Sequence, residues 1–443
     1  MGTKKDFLKE IIKKSTPFIP KHLELFTSIL IILVIFSNIF IISCKDEITQ
    51  PPPKQPGYQE DIPWPSLADS PWPMFRGNPQ YTGRSKYNGP VSGIIQWVYD
   101  SVYIESGVIL SADSSPLFQT SGPINFRGGV YKLRQSGNLE WFYNISEIAA
   151  GTTPLILSDS TIIVSTYIGG KIIALSNNGA EKWTYDTGTY ITTRGMNVGL
   201  DGTIYFLDST KTLFALGKDG ILKWTLKIEN VFFGSGSTHR MAFSPNGKTL
   251  YITGADKAIY AVDVNQRTII WSFGGKNAVA SPLVDSDGNI YLYGIPDYSE
   301  SDQPYLVKIN TSGLIVWRYP CQNKQFGYFL EPTLDYNGNI YFGFGTDSLY
   351  SVNFDGTLRW RVNIQTTYGG IISSPLVCDR QNNIYVPIQK SGGVHFTILA
   401  FKESGNLLWE SNLLFGEPGD SPALGIGSLY CPTYRSTNFY LIN

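Results

Sequence analysis

Residues 280–317 read Ala280-Ser-Pro-Leu-Val-Asp-Ser-Asp-Gly-Asn-Ile-Tyr-Leu-Tyr-Gly294, a short polar loop, then Tyr305-Leu-Val-Lys-Ile-Asn-Thr-Ser-Gly-Leu-Ile-Val-Trp317. Turn residues divide this stretch into four short strands: Leu283-Val284, Ile290 to Tyr293, Tyr305 to Ile309 and Leu314 to Trp317. Asp-Gly and Ser-Gly sit where tight hairpins need them. Connections this short allow only a meander, and an isolated meander exposes both faces and both edges, so the unit requires neighbours of its own kind.

The sequence supplies them. A Gly four residues before a Trp recurs as Gly93/Trp97, Gly137/Trp141, Gly179/Trp183, Gly220/Trp224, Gly313/Trp317, Gly356/Trp360 and Gly405/Trp409, and Trp271 is an eighth copy with Arg267 at the glycine position. Successive tryptophans from Trp97 to Trp409 lie 41 to 49 residues apart. That period fits propeller blades of four strands, and the alternating apolar pattern excludes a helical solenoid.

Aromatics make up 14% of the 443 residues, charged residues only 16%, and there are 44 glycines. This mix suits many short strands and argues against a disordered or coiled-coil protein. With 35 basic and 36 acidic residues the formal charge is -1, so no global field recommends nucleic acid. Cys321, Cys378 and Cys431 fall in different repeat units without CxxC spacing, which removes the signatures of zinc, dithiol and haem attachment and leaves buried free thiols.

Residues 4–21 carry Lys4, Lys5, Lys9, Lys13, Lys14 and Lys21, and Phe26 to Ile42 is almost wholly apolar. A basic head before such a run reads as an export signal or a membrane anchor. The run ends Ile41-Ile42-Ser43-Cys44, which resembles the lipobox of bacterial lipoproteins; the resemblance implies a signal over 1–43 and acylation of Cys44. An uncleaved signal anchor is the alternative. Lys45-Asp46-Glu47 resembles a tag for export to the cell surface. Residues 44–71, with seven prolines from Pro51 to Pro71, are expected to form an extended tether, and 72–443 the propeller.

The segment Trp72-Pro-Met-Phe-Arg-Gly-Asn-Pro-Gln-Tyr-Thr-Gly83, together with the Gly-x-x-x-Trp strands, resembles the pyrroloquinoline-quinone-like (PQQ-like) propeller repeat family. The resemblance implies an all-β fold, a single eight-bladed propeller of four-stranded antiparallel blades. In such a fold Trp97, Trp141, Trp183, Trp224, Trp271, Trp317, Trp360 and Trp409 would dock each blade on the glycine turn of the next. Beyond Trp409 only three strands remain, Ser421 to Leu424, Ser428 to Tyr434 and Asn438 to Ile442, so Ile94 to Tyr99 is expected to complete the eighth blade and close the ring.

Some members of this family bind a quinone cofactor on the axis beneath an adjacent Cys-Cys pair, with calcium nearby. No Cys-Cys exists here, and Asp285-Ser-Asp-Gly-Asn289 has its glycine misplaced for a calcium loop and Pro296 where a bidentate Glu belongs. After the signal only His239 and His395 remain, too few for a His-based metal centre or triad. The reading is a protein without a catalytic set, metal or cofactor.

Aligning the repeats on their innermost strands puts mostly small polar residues at one mouth of the axis. Arg194, His239, Arg240, Glu331 and Asp420 break that rule. Such a cluster either binds an anionic ligand or a partner's loop, or pairs with itself across the channel. In order of parts the chain resembles the propeller lipoproteins of outer-membrane β-barrel assembly. That implies a monomeric, lipid-anchored envelope scaffold with a protein partner; a quinone-dependent dehydrogenase and a surface-displayed glycan-binding or adhesin-like lipoprotein are the alternatives.

Overall fold

The computed structural model describes residues 54–100, 102, 104, 106–120, 128–145, 152–193, 195–228, 240–253, 259–274, 281–294, 305–321, 331–343, 347–434 and 436–443. The expected signal and Cys44 lie outside them, as do Arg194 and His239. The chain divides at Pro56/Gly57, and the unit Gly57–Asn443 holds the propeller.

Blade five is the stretch quoted above. Its strands Leu283–Val284, Ile290–Gly294, Tyr305–Ile309 and Ile315–Pro320 pair antiparallel in chain order. The outer strand runs three residues past Trp317, so the tryptophan sits mid-strand. Seven blades repeat this plan, with innermost strands Ile109–Leu110, Leu155–Ile156, Asn197–Val198, Met241–Phe243, Leu283–Val284, Thr333–Leu334 and Val377–Cys378. The eighth blade is composite. Ala423–Leu424, Leu429–Tyr434 and Phe439–Ile442 are completed by Ile95–Tyr99, whose Trp97, Val98 and Tyr99 face Leu441, Tyr440 and Phe439. Ile94 and Asn443 extend the seam by exchanging backbone hydrogen bonds of 3.3 and 3.0 Å. The expected closure is therefore present, and it turns two open edges into ladder partners.

The tryptophans clamp the blades. A Cβ placed on Gly137, Gly179, Gly220, Gly313, Gly356, Gly405 or Gly93 would lie 2.7–2.9 Å from the indole of Trp97, Trp141, Trp183, Trp271, Trp317, Trp360 or Trp409 respectively, each on the preceding blade. Six of these indoles also donate Nε1–H to a carbonyl of the next blade's turn at 2.8–3.1 Å. A β-bulge precedes the Trp in every blade, as where Lys308 faces Trp317 and Ile309 faces Ile315, and it re-aims the ring toward the neighbour. In blade four Arg267 takes the glycine's place at φ 60°. Its turn closes four residues back, Arg267 N to Asp263 O, whereas Gly356 N closes three back on Asn353 O.

The propeller's packing begins earlier than the sequence suggested. Residues 57–71, expected to be part of the tether, lie on the blades. Trp64 is buried and donates to Val198 O at 2.8 Å, Gln59 N donates to Tyr336 O, and Ala68 N donates to Ile156 O. Prolines here remove donors but leave carbonyls and ring surface free to pack.

Candidate functional site

Each innermost strand has one end at the short hairpin turns and the other at the mouth. The turn end is crossed by residues 72–88, which pass round the ring and bond to every blade in order. Leu110 N donates to Trp72 O (2.8 Å), Ile156 N to Pro73 O (2.9 Å), Phe243 N to Pro79 O (2.8 Å), Val284 N to Gln80 O (3.0 Å), Leu334 N to Thr82 O (3.1 Å), Cys378 N to Gly83 O (2.8 Å) and Gly427 N to Asn88 O (2.9 Å). Blade three contributes the Asn197 amide to Pro79 O, and Tyr81 OH donates to Gly195 O. Two of the accepting carbonyls belong to prolines, which offer an acceptor and have no N–H of their own to satisfy.

This segment plugs the axis. Met74, Phe75, Arg76 and Tyr81 are all at most 1% exposed, and Phe75 and Tyr81 meet edge to face at 5.1 Å. Arg76 donates from Nη1 to Leu376 O (2.5 Å) and from Nη2 to Pro332 O and Thr333 Oγ1 (both 2.7 Å), tying blades six and seven together. Burial first, then the charge of Arg240, pull the Arg76 guanidinium down to about 9, so it remains a cation at neutral pH. Burial pushes the Tyr81 hydroxyl up. Gly83, at φ 67°, leaves the space the guanidinium fills; a Cβ there would lie 2.1 Å from Arg76 Nη2.

Above the plug, three of the five charged residues singled out from sequence meet. Arg240 of blade four forms a salt bridge with Glu331 of blade six and reaches Asp420 of blade eight at 3.4 Å. Ser281 links the pair, accepting from Arg240 Nη1 (3.2 Å) and donating to Glu331 Oε1 (2.9 Å). The Arg240 guanidinium also stands 4.9 Å from the centre of the Phe75 ring, so plug and mouth are one packed unit. Of the two readings of this cluster, pairing across the channel is the one its geometry supports for Arg240, Glu331 and Asp420. Ser374 Oγ is likewise engaged, donating to Gly419 O.

The plug residues Phe75, Arg76, Tyr81 and Gly83 were not singled out as functional by sequence. Their signal was present: a stretch with two prolines, two glycines, large aromatics and one arginine that does not alternate like a strand.

The Asp285 loop is a turn. Asp285 Oδ1 accepts from the backbone N of Asp287 and Asn289, and Oδ2 from Asn289 Nδ2 and Tyr291 OH. Asp335 and Asp379 repeat the arrangement with Asn339/Tyr341 and Asn383/Tyr385. Among the described residues no group of three or more His, Cys, Asp or Glu is placed to hold a metal ion. A planar anionic quinone on the axis needs an open slot with cations facing it. Here Phe75 and Tyr81 fill the turn end, both Arg76 terminal nitrogens are held by protein acceptors, and Arg240 already faces two carboxylates. Among the described residues, those on the axis do not fit the cofactor.

A family model described as "Outer membrane protein assembly factor BamB" matches residues 169–294 and 255–422. No curated protein gives a significant match. Among solved structures, BamB from Moraxella catarrhalis is similar at 18% identity and a TM-score of 0.56, covering 79% of this chain and 97% of that one. The quinohemoprotein alcohol dehydrogenase of Comamonas testosteroni (12% identity, TM-score 0.56, covering 84% and 80%) and the ADHIIG enzyme of Pseudomonas putida HK5 (12%, 0.58, 86% and 82%) share the architecture. At these identities the likeness is one of fold. With more than half of its length matched by the family model, the chain belongs to the PQQ-like β-propeller family of the outer membrane protein assembly factor BamB.

Proposed function

We propose that this protein is a non-catalytic, lipid-anchored scaffold of the bacterial cell envelope, monomeric, that holds a protein partner during outer-membrane protein assembly. The observation that carries the reading is the axis filled by the chain's own Phe75, Arg76 and Tyr81 and capped by the Arg240 cluster. Closing the axis moves recognition to the rim. There, at the mouth end, the stacked pair Tyr167 and Tyr190 (44% and 51% exposed) stands beside exposed Ile168. Apolar side chains clustered on a surface suit a protein partner. The family match supports the assembly role, and the Ser43-Cys44 junction supports acylation at Cys44.

Affinity capture of the full chain from envelope extracts in mild detergent tests this. A stable partner, lost on Tyr167→Ser with Tyr190→Ser, is the expected outcome. No partner, or dye reduction with alcohols after addition of quinone and calcium, overturns it. Metabolic labelling with palmitate, abolished by Cys44→Ala, checks the anchor.

A further inference from the structure

A groove of about 520 Å³, the size of a small-molecule site, opens between blades eight and one. It lies at the turn end, since Ser114 and Gln135 in its lining belong to hairpin turns of blade one. Trp97, Tyr430 and Leu441 form its apolar walls, and the carboxamides of Gln96, Gln135 and Asn443 and the hydroxyls of Ser114 and Ser428 line the rest. Two hydrogen bonds across the seam fix those walls: Trp97 Nε1 donates to Gln135 O at 2.8 Å and Tyr430 OH to Ser114 O at 2.9 Å. The two rings meet edge to face at 6.2 Å. With the aromatic donors engaged, the carboxamides are the groups left to meet a ligand.

The corresponding positions elsewhere in the ring are charged or aliphatic. In five blades a lysine or arginine stands opposite the tryptophan or just before it and forms an ion pair there. These pairs are Lys132 with Glu140, Lys182 with Asp159, Lys223 with Asp201, Lys308 with Asp285 and Arg359 with Glu403, at 2.9–3.7 Å. Blades four and seven have Ala261 with Ile270 and Ala400 with Leu408. Blade eight alone sets a leucine, Leu441, opposite its tryptophan and a carboxamide, the exposed Gln96, before it. No side chain lining its groove is charged. Blade eight is also the blade whose third and fourth strands are joined by hydrogen bonds between Ile94 and Asn443 and not by a turn. Asn443 lines the groove, and its Oδ1 is buried without a donor among the described residues. A buried acceptor is costly to leave unmet, and this one suits a hydroxyl brought by a ligand.

We infer that this seam groove binds a neutral carbohydrate. A sugar hydroxyl both donates and accepts, and a carboxamide offers both in one side chain, while aromatic and aliphatic walls suit the C–H faces of a sugar ring. A carboxylate or phosphate would find no cationic side chain in the lining, and an ammonium no carboxylate side chain, so a charged ligand would lose its hydration without a counter-charge. A peptide is held through its main chain on a strand edge, with its side chains in apolar pockets. The groups that converge here are side-chain amides and hydroxyls. The groove lies at the opposite end from the Tyr167 and Tyr190 pair, so it is independent of the protein partner proposed above and gives the scaffold a second ligand.

The test is an array of neutral glycans, acidic glycans and uncharged peptides probed with the full-length protein in detergent micelles, followed by calorimetric titration with the neutral oligosaccharide that binds best. Binding to neutral glycans and not to the other two classes is the expected result. Gln96→Ala, at an exposed position, and Asn443→Ala each remove one carboxamide and should weaken the titrated oligosaccharide about tenfold, as for a matched hydrogen bond lost. Far-UV circular dichroism of both variants should be unchanged. An affinity that both variants retain puts the sugar at another site and overturns the inference. No glycan bound, or acidic glycans or peptides bound as well as neutral glycans, also overturns it. Tyr167→Ser with Tyr190→Ser should leave the sugar affinity unchanged, which separates failure of this site from failure of the partner surface.

Discussion

Replacing Gly356 by alanine tests the clamp that holds blade five to blade six. Gly356 has φ 89°, and a Cβ would lie 2.7 Å from Trp317 Cδ2. The left-handed backbone costs an L-residue about 1–2 kcal/mol. The turn is fixed by Gly356 N donating to Asn353 O and by Trp317 Nε1 donating to Phe354 O, so the ring cannot retreat without losing a bond, and overpacking of this kind costs about 1–3 kcal/mol. Gly356→Ala should therefore destabilise by about 2–5 kcal/mol. In a Trp317→Ala background the collision is gone and only the backbone share, about 1–2 kcal/mol, should remain. Urea unfolding followed by far-UV circular dichroism on the four proteins of this cycle measures the difference, provided the denaturant slope stays constant. An equal cost of Gly356→Ala in both backgrounds would refute the clamp as a steric contact. Arg267 supplies the control, since its longer turn already carries a side chain at φ 60°; Arg267→Gly should shift stability by less than about 1 kcal/mol.

Arg76→Met takes the guanidinium from Leu376 O, Pro332 O and Thr333 Oγ1, of which Leu376 O keeps the Thr333 hydroxyl, and should cost about 2 kcal/mol or more in the same assay, with Arg76→Lys restoring only part because one ammonium cannot span the Leu376 and Pro332 carbonyls. Burial pushes the Tyr251, Tyr336 and Tyr430 hydroxyls up to about 12, so the fold favours their protonated forms. Their contribution to stability is complete below the ordinary tyrosine value of about 10 and is lost as pH climbs from there toward 12. Absorbance at 295 nm should show a first group of tyrosines ionising near pH 10 and a second delayed to higher pH; a single step for all 27 with the native dichroism intact would contradict this. Burial also pushes Cys321 up to about 12 and raises Cys378 and Cys431, so native protein at pH 8 should leave these three unmodified by iodoacetamide while urea exposes them all.

Most of the ring was legible because it is written eight times. Gly313 and Trp317 fix one end of a strand, Asp285 to Asn289 fixes a turn, and a meander of that period has few ways to bury its faces. The shared eighth blade followed from counting strands after Trp409. Residues 57–71 were not legible as part of the propeller, since they repeat nothing, and the path of 72–88 across the ring was not read although the segment was assigned to it. The prolines up to Pro71 suggested an extended tether, yet an extended backbone with few free donors is also what packs on the blades over 57–71 and, in 72–88, crosses the ends of the inner strands, where amides such as Leu110 N and Val284 N need acceptors. Local composition specified the conformation and was silent about what the conformation touches.

The mouth shows the converse. Register alone put Arg240, Glu331 and Asp420 at one end of the axis, and only distance decided between a ligand site and a paired cluster. Blades four, six and eight are every second blade, so their inner strands look across the axis at one another. Below them the plug places a second guanidinium, Arg76, out of contact with solvent and held by neutral acceptors. A buried cation beneath Arg240 makes carboxylates on the axis favourable, because each added charge of the same sign in low dielectric is costly unless paired. Glu331 and Asp420 therefore stand opposite Arg240 for the same reason that Phe75 and Tyr81 lie beneath it: the axis of this propeller is a core. With the axis packed, the partner binding proposed above falls to what differs from blade to blade at the rim, such as the stacked Tyr167 and Tyr190 pair at the mouth end.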